Sequence, residues 1–393
     1  MRILFLSFYY EPDLCAGSFR SAALVRALGE QLGQEDCIEV LTTQPNRYRS
    51  FNRSAPATES GPGVQVVRFP LPVHRSGFVD QSRAFAAYAW QVLKFLRGRQ
   101  YDLVFATSSR LMTAFLGALV SRWKRAPLYL DIRDIFVDTI QDVLPPLPTR
   151  ALLPAFRAME GFTIRRAARI NLVSEGFRTY FEQRYPGKSY DYVPNGIDEE
   201  FLDFDLTPAG RQGEGRLVVL YAGNVGEGQG LHRIVPGLAA LTPATHEFWI
   251  VGDGGARGKL EAAVEGMDNV KIMAVVDRHA LLSLYQQSDI LFLHLNDYPA
   301  FRRVLPSKLF EYAATGKPVL AGVAGHAAEF LSRLPGVAVF APCDLQAGIS
   351  ALTSLAIDPV PRKDFVKAFR RTRLMKVLAA DVLAAAQAGR GGD

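Results

Sequence analysis

Short apolar runs alternate with longer helical stretches along this chain; the alternation breaks off after Asp198 and restarts at Leu217. Parallel strands need a crossover of a dozen or more residues between them, so this rhythm predicts α/β layers rather than a bundle or a sandwich. Strand candidates in the first half are Ile3–Phe8, Ile38–Thr42, Val64–Phe69, Leu103–Ala106, Leu128–Ile132 and Ile170–Val173, with helical stretches such as Ser18–Leu32, Ser82–Arg97 and Arg110–Trp123 between them. A tight turn, Val193-Pro194-Asn195-Gly196-Ile197-Asp198, leads into an acidic, Pro- and Gly-containing passage from Glu199 to Gly215 that reads as a linker. New strands follow at Leu217–Tyr221, His246–Val251, Val270–Met273, Ile290–Leu293 and Pro318–Ala321. Two doubly wound α/β domains are expected, and 393 residues agree with that count at about 150 residues per domain. Ligands of such sheets bind outside the carboxyl ends of the strands, so a cleft that both domains face is the expected site.

Hydrophobic residues make up 49% of the chain and charged residues 21%, which suits a well-cored protein and excludes disorder. Lys and Arg number 45 against 39 Asp and Glu, a formal charge of +6 with a pI near 9.2. This mild excess fits an anionic small molecule or a membrane surface better than a nucleic-acid groove. Cys15, Cys37 and Cys343 have no metal spacing and cannot all pair, which points to a reducing cytosol. The apolar start is short, is followed closely by Glu11 and Asp13 and lacks a small-residue cleavage site, so a first strand is expected there and not a signal peptide. Leu111–Val120 falls well short of the roughly 18 residues a membrane span needs, and a soluble protein is expected.

The strongest local signal runs from Leu305 to Pro318. Pro306 suits the first turn of a helix, Gly316 its left-handed C-terminal position and Pro318 the stop beyond it. Ser307, Lys308 and Glu311 then lie in the first two turns, with Ser307 and Glu311 on one face. A helix N-terminus attracts phosphate, Lys308 would add a full charge, and Glu311 could accept both hydroxyls of a ribose diol. A capped helix with solvated Lys and Glu explains the same residues equally well.

A second signal, Tyr221-Ala222-Gly223-Asn224-Val225-Gly226-Glu227-Gly228-Gln229-Gly230, directly follows the strand opening the second domain. Its four glycines would let backbone approach a phosphate, although any tight strand-to-helix turn can need glycine. It has neither the spacing of a nicotinamide fingerprint nor the Gly-Lys-Ser/Thr of a P-loop, so NAD and ATP chemistry are not expected. Gly252-Asp253-Gly254-Gly255 follows another strand of that domain, and for Asp253 a plain Asp-Gly turn is the favoured reading. In the first domain Gly17, in the loop after the first strand, would permit close approach of a ligand from the opposite wall. Asp131-Ile132-Arg133-Asp134 sits at a strand end, where charged residues cap or catalyse. Asp203-Phe204-Asp205 imitates a metal motif but reads as a solvated acidic turn, and the six histidines show no ligand spacing, so no metal site is expected. Two basic stretches, Arg150–Lys188 and Arg362–Lys376, could attract anionic lipid or a diphosphate. For the second stretch, a helix whose Phe365 and Phe369 dock on the body is at least as good an account.

Taken in order, these elements resemble a GT-B glycosyltransferase of family 4 over nearly the full length. Within it they resemble the branch transferring N-acetyl-L-fucosamine and similar deoxy-amino sugars in bacterial polysaccharide, O-antigen, capsule or lipopolysaccharide assembly. The resemblance implies two Rossmann-like domains. Residues 1–205, with a final helix 365–393 crossing back, would hold the acceptor, and residues 206–364 the donor nucleotide. It also implies retention of anomeric configuration, a UDP-linked donor, no obligatory cofactor or metal, and a lipid-linked saccharide acceptor. The protein would then be cytoplasmic and peripheral at the inner face of the membrane, with no nucleic-acid partner.

The broad family has an Arg after Gly223 and a Lys five residues later, where this chain has Asn224 and Gln229; both fit the fucosamine-type branch's own pattern, as does Pro-Ser-Lys before the helix. The family's Glu-x7-Glu keeps its second acid as Glu311 but has Arg303 at the first position. Positive charge is therefore expected from Arg302, Arg303 and Lys308, facing the departing diphosphate. Gly17, Gly223, Asn224, Gln229, Gly252, Val276, Ser307, Lys308 and Glu311 would line the donor site, with Val276 beside the base. Arg133 and Asp134 would face the sugar or the acceptor hydroxyl. Two alternatives stand beside the transferase: a non-catalytic nucleotide-sugar-binding subunit, and a sugar-nucleotide 2-epimerase, which would need acids and histidines gathered in the cleft.

Overall fold

The structure, a computed structural model, describes residues 1–46, 54–72, 78–108, 111–143, 146–202 and 215–390. The chain forms two compact units, Met1–Asn195 with Arg371–Asp393, and Gly196–Arg370.

The first unit is built on β1 (Arg2–Leu6), β2 (Cys37–Thr43), β3 (Thr58–Gly61), β4 (Val64–Phe69), β5 (Leu103–Thr107), β6 (Leu128–Ile132), β7 (Arg169–Leu172) and β8 (Tyr190–Tyr192). They form one sheet in the order β3-β4-β2-β1-β5-β6-β7-β8, parallel except for β3 against β4. Its helices are α1 (Ala16–Gly29), α2 (Phe78–Phe95), α3 (Leu111–Lys124), α4 (Phe136–Val143), α5 (Pro146–Arg166) and α6 (Arg178–Arg184). The path runs from β1 leftward to β2 and from β1's other side rightward through β5 to β8, so the order reverses between β1 and β5. Right-handed crossovers then place α1 on one face of the sheet and α2, α3, α5 and α6 on the other. The central strands are buried along their whole length, which is why they read as unbroken apolar runs.

The second unit holds β9 (Leu217–Ala222), β10 (His246–Val251), β11 (Val270–Met273), β12 (Ile290–His294), β13 (Val319–Gly322) and β14 (Val337–Phe340), all parallel, in the order β11-β10-β9-β12-β13-β14. Between them run α7 (Leu231–Leu241), α8 (Arg257–Ala263), α9 (Arg278–Gln287), α10 (Ser307–Ala314) and α11 (His326–Leu331), and α12 (Leu345–Ser354) and α13 (Lys363–Phe369) follow β14.

The last helix, α14 (Arg371–Arg390), lies against α1 and belongs to the first unit. Met375, Leu378, Ala379, Val382 and Ala386 join Ile3, Phe5, Leu24 and Phe105 in one core. Burying a Met, Leu or Val stabilises by about 1.5–3 kcal/mol each, so this helix is an integral layer. Asp381 fixes its position by accepting hydrogen bonds from the Tyr129 hydroxyl (2.5 Å) and from Arg169.

The units divide at Asn195/Gly196 and Arg370/Arg371, against expected changeovers at 205/206 and 364/365. The source of the difference is local packing. Ile197 and Phe201 belong to the second unit's core, Ile197 N donates to Phe369 O (2.8 Å), and Phe365 and Phe369 join an aromatic cluster with Phe310 and Phe330. The aromatics of the second basic stretch therefore dock on the body, as one of its two readings had it. Arg362 from the same stretch is buried, donating to the carbonyls of Ala313, Lys317, Pro335 and Gly336. Residues 203–214, most of the expected linker with its Asp203-Phe204-Asp205 turn, lie outside the described residues. Among the described residues no helix is long and apolar enough to cross a membrane, and no cluster of His, Cys, Asp and Glu could hold a metal ion.

Candidate functional site

The carboxyl end of β9 delivers the chain into the glycine loop. Gly223 N donates to Val251 O (2.7 Å) and Val225 N to Asp253 O (2.9 Å), so the loops after β9 and β10 run backbone to backbone. Such contact leaves no room for a side chain: a Cβ on Gly252 (φ 150°) would overlap the Gly223 carbonyl. Gly223 itself (φ 141°) has a different neighbour, since a Cβ there would overlap Nζ and Cε of Lys308. The Lys308 ammonium thus lies on the glycine loop. Its Nζ donates to the Tyr221 hydroxyl (3.2 Å) and stands 4.7 Å from the centre of that ring.

Lys308 is the second residue of α10, which begins at Ser307 after Pro306 in extended backbone; Pro306 is therefore the cap residue rather than part of the first turn. Among the described residues no side chain caps this end and its first turn carries no acid, so the partial positive charge of the helix N-terminus favours an anion there. Gly316 adopts the left-handed conformation expected at the far end (φ 70°).

One turn after Ser307, Glu311 is largely buried. It stands 3.5 Å from the Tyr285 hydroxyl and 4.0 Å from an Arg278 nitrogen. Arg278 also pairs with Asp198 and lies 3.7 Å from Glu200. Burial alone would lower its pKa, but the charges of Glu311, Asp198 and Glu200 more than reverse that, and the guanidinium is held above its ordinary value.

Asn224 and Gln229 replace the cations of the broad family, and they bond each other: Asn224 Nδ2 donates to Gln229 Oε1 (2.7 Å), which also accepts from Gly226 N (3.2 Å). A neutral amide pair braces the loop where two positive charges would repel. The remaining loop glycines are explained by packing, because a Cβ on Gly226 would meet Asn224, on Gly228 the Phe301 ring and on Gly230 (φ 60°) the Asn296 side chain. Phe301 belongs to a 3-10 turn, Pro299–Arg303, that also carries Arg302 and Arg303. Arg302 is exposed and 3.5 Å from Asp297, and Arg303 is partly buried at the end of the turn. Val276 lies between β11 and α9, packed on the core cluster that includes Leu305 and Leu309.

Two residues that sequence reasoning did not place hold the loop from behind. Asn296 accepts from Arg233 (2.7 Å) and donates to Glu227 O (3.0 Å). His294 is fully buried. Its Nδ1 donates to Gln229 O (2.7 Å) while its Nε2 accepts from Cys343 N (3.1 Å), a pairing that requires the neutral ring. Burial, only partly opposed by the bond to Gln229, lowers its pKa to about 4. Polar residues immediately after a buried apolar strand were the available signal.

In the first unit, Gly17 is buried in the first turn of α1, whose N-cap Cys15 makes no side-chain capping bond. Asp131, the next-to-last residue of β6, accepts from two nitrogens of Arg20 (2.8 and 2.9 Å) and from Asn171 Nδ2 (2.7 Å). Burial would raise its pKa; the charge and hydrogen bonds of Arg20 prevail and hold it below the usual carboxylate range. Arg20 reaches on to the carbonyls of Val193 and Pro194, so one buried pair clasps the segment where the chain leaves this unit. Arg133 donates to Asn195 Oδ1 (3.0 Å), and burial lowers its pKa to about 10 against the opposing charge of Asp131. Its Nη1 has no hydrogen-bond partner among the described residues. Asp134 accepts from Thr139 Oγ1 (3.2 Å) and burial pushes its pKa up to about 6.

Comparison with known proteins agrees with this layout. The family described as Glycosyl transferase 4-like domain matches residues 21–196, and Glycosyl transferases group 1 matches residues 216–358. A putative colanic acid biosynthesis glycosyl transferase of Escherichia coli K12, WcaI, is 31% identical over 130 residues, and the match spans about a third (32%) of each chain. Sucrose-phosphate synthase from Thermosynechococcus elongatus superposes with a TM-score of 0.69 at 14% identity, covering 99% of this chain and 98% of that one. Anabaena Alr3699/HepE, solved with UDP and glucose, superposes with a TM-score of 0.61 at 18% identity, covering 98% of this chain and 97% of its own. At such identities the structures speak for the fold, and the two family matches, one in each unit, speak for descent. The chain belongs to the GT-B glycosyltransferases of family 4.

Proposed function

We propose that the protein is a retaining, metal-independent transferase. It moves an N-acetylated deoxyhexosamine from a UDP-sugar to a lipid-linked glycan during assembly of a bacterial polysaccharide such as O-antigen, capsule or lipopolysaccharide. The observation that carries this reading is the Lys308 ammonium lying on Gly223 at the start of α10. A departing nucleoside diphosphate gains negative charge as the glycosidic bond breaks, and a fixed cation at a helix N-terminus stabilises that charge without reorganisation. Glu311 would hold the ribose diol, while the Asn224–Gln229 brace, with Gly252 behind it, keeps the loop in shape. Ser307 would offer its amide, Val276 would flank the base, and Arg302 and Arg303 would add positive field from the neighbouring turn. Gly196–Arg370 would be the donor unit. In the other unit Gly17 would admit the ligand closely, Arg133 would bring its uncommitted N–H to the sugar or acceptor, and Asp134 would face the acceptor hydroxyl. HepE's bound UDP and WcaI's assignment to colanic acid biosynthesis support the donor class and the polysaccharide setting.

The test is product analysis in EDTA with UDP- and GDP-linked N-acetyl-deoxyhexosamines and a polyprenyl-diphosphate saccharide. UDP-sugar consumption giving a product with the donor's anomeric configuration by NMR is expected. An inverted product or a requirement for metal would contradict the mechanism. Nucleotide binding without turnover would favour the binding-subunit reading, and epimerised donor without acceptor would favour the epimerase.

A further inference from the structure

In the first unit the β3–β4 hairpin stands beside α1, and a groove of about 770 Å³ runs between them, within the range of about 300–1,000 Å³ typical of small-molecule sites. Its floor follows from the strand register. Glu59 pairs with Val66 and Gly61 with Val64, and side chains two apart share a face, so Val64, Val66 and Arg68 of β4 turn the same way as Glu59 and Gly61 of β3. Tyr10 and Glu11, in the loop after β1, line the groove at the Arg68 end. Gly29, the last residue of α1, closes the other end, where a Cβ on it would stand 3.4 Å from Val64. From Val64 to Arg68 the floor extends about 13 Å at about 3.3 Å per residue, longer than one sugar ring or one phosphate.

The charges along the groove are matched within the protein. Arg26 pairs with Glu11, Arg68 with Glu59 (2.9 Å), and Glu30 lies 3.6 Å from Lys376 of α14. Arg68 is buried and also donates to the carbonyls of Glu11 (2.9 Å) and Pro56 (3.2 Å), which fixes the hairpin against the loop after β1. Tyr10 is left over. It is only 8% exposed, and its hydroxyl makes no hydrogen bond with any described residue. Burial and the charge of Glu11 push its pKa up, so it stays an O–H donor. A nearly buried hydroxyl without a partner is costly in the empty protein and is satisfied by a ligand that accepts from it.

These features select among ligands. A phosphate or nucleotide would meet three carboxylates, Glu11, Glu30 and Glu59, whose cations are already engaged. An acyl chain would desolvate two ion pairs and a phenol with nothing in return. A sugar avoids both costs: its hydroxyls can donate to the carboxylates of Glu11 and Glu59 and accept from Tyr10, while its C–H face rests on Val64 and Val66.

We propose that the groove between α1 and the β3–β4 hairpin binds a saccharide, and that the sugar units it holds are ones that do not react. Ligands of doubly wound sheets react outside the carboxyl ends of the strands, whereas this groove runs back from that end to the first residue of β4. The proposal deepens the proposed function and rests on its glycan acceptor.

The test is isothermal titration of the full chain with lipid-free saccharides, freed by mild acid from the lipid-diphosphate pool of the source bacterium and sorted by length. Binding is expected, tighter for the longer fractions. Tyr10→Phe should weaken it about three- to tenfold, although it removes no hydrogen bond within the protein, so a merely structural role predicts no change. Gly61→Trp should weaken it at least about tenfold, because a Cβ at Gly61 meets nothing within 4 Å and the ring would fill the groove. Leu241→Ser, at an exposed position of the other unit, should leave it unchanged. Circular dichroism checks that each variant folds. No binding of any fraction, or binding indifferent to Tyr10→Phe and Gly61→Trp, would overturn the proposal. So would self-association abolished by Gly61→Trp with no saccharide bound, which would make the open edge of β3 a contact between copies. UDP titration of the same samples separates the two readings: UDP binding without saccharide binding sinks the groove alone, and the reverse sinks the donor site alone.

Discussion

Lys308→Ala is expected to lower kcat about 10²–10³-fold while leaving the thermal unfolding midpoint within a few degrees of wild type. Lys308 is partly buried and stands where it can act on charge that develops only as the diphosphate leaves, so its loss should fall on the transition state more than on donor affinity. Lys308→Arg tests the geometry. The planar guanidinium keeps the charge but cannot occupy the narrow space over Gly223, so most of the activity should still be lost. Steady-state kinetics decide the matter: a Lys308→Ala enzyme with unchanged kcat would remove this residue from the chemistry.

The second large effect concerns stability. Asp131→Ala is expected to cost about 3–5 kcal/mol, because it strands the buried Arg20 guanidinium and frees the carbonyls of Val193 and Pro194 from a shared clasp. For a unit of this size that corresponds to a fall in Tm of roughly 10 °C. The effect should depend on pH with a definite sign. Arg20 and its hydrogen bonds hold the Asp131 pKa below that of an unfolded carboxyl. Its contribution is therefore complete above an unfolded value of about 3.9 and is lost as pH falls through the lower folded value. Wild type and variant should converge in that acid window and nowhere above it. Calorimetric Tm values that coincide at neutral pH would contradict the clasp.

Much of the fold was legible because its central strands are buried on both faces and read as continuous apolar runs. The strands the sequence did not announce, Thr58–Gly61, Tyr190–Tyr192 and Val337–Phe340, all lie at sheet edges. Edge strands are short and half-wetted, so neither length nor alternation marks them; every residue of Thr58–Gly61 is exposed. The candidate site was legible as separate motifs. Gly223, Lys308 and Glu311 each stood out, but that Lys308 fills the space a Cβ at Gly223 would need depends on how two loops meet. Asn224 and Gln229 looked like two lost cations, whereas each is the other's hydrogen-bond partner. The buried ring of His294 was dismissed for want of metal spacing, and its service to the backbone of Gln229 leaves no trace in residue spacing.

The central claim is that the Gly223 loop and the start of α10 hold a nucleoside diphosphate without metal. Isothermal titration of the full chain with UDP, and separately with GDP, in EDTA tests it most directly. The account predicts UDP binding, weakened at least about tenfold by Glu311→Ala through the ribose and measurably by Lys308→Ala through the diphosphate. Failure to bind either nucleotide, or UDP affinity indifferent to both substitutions, would contradict it.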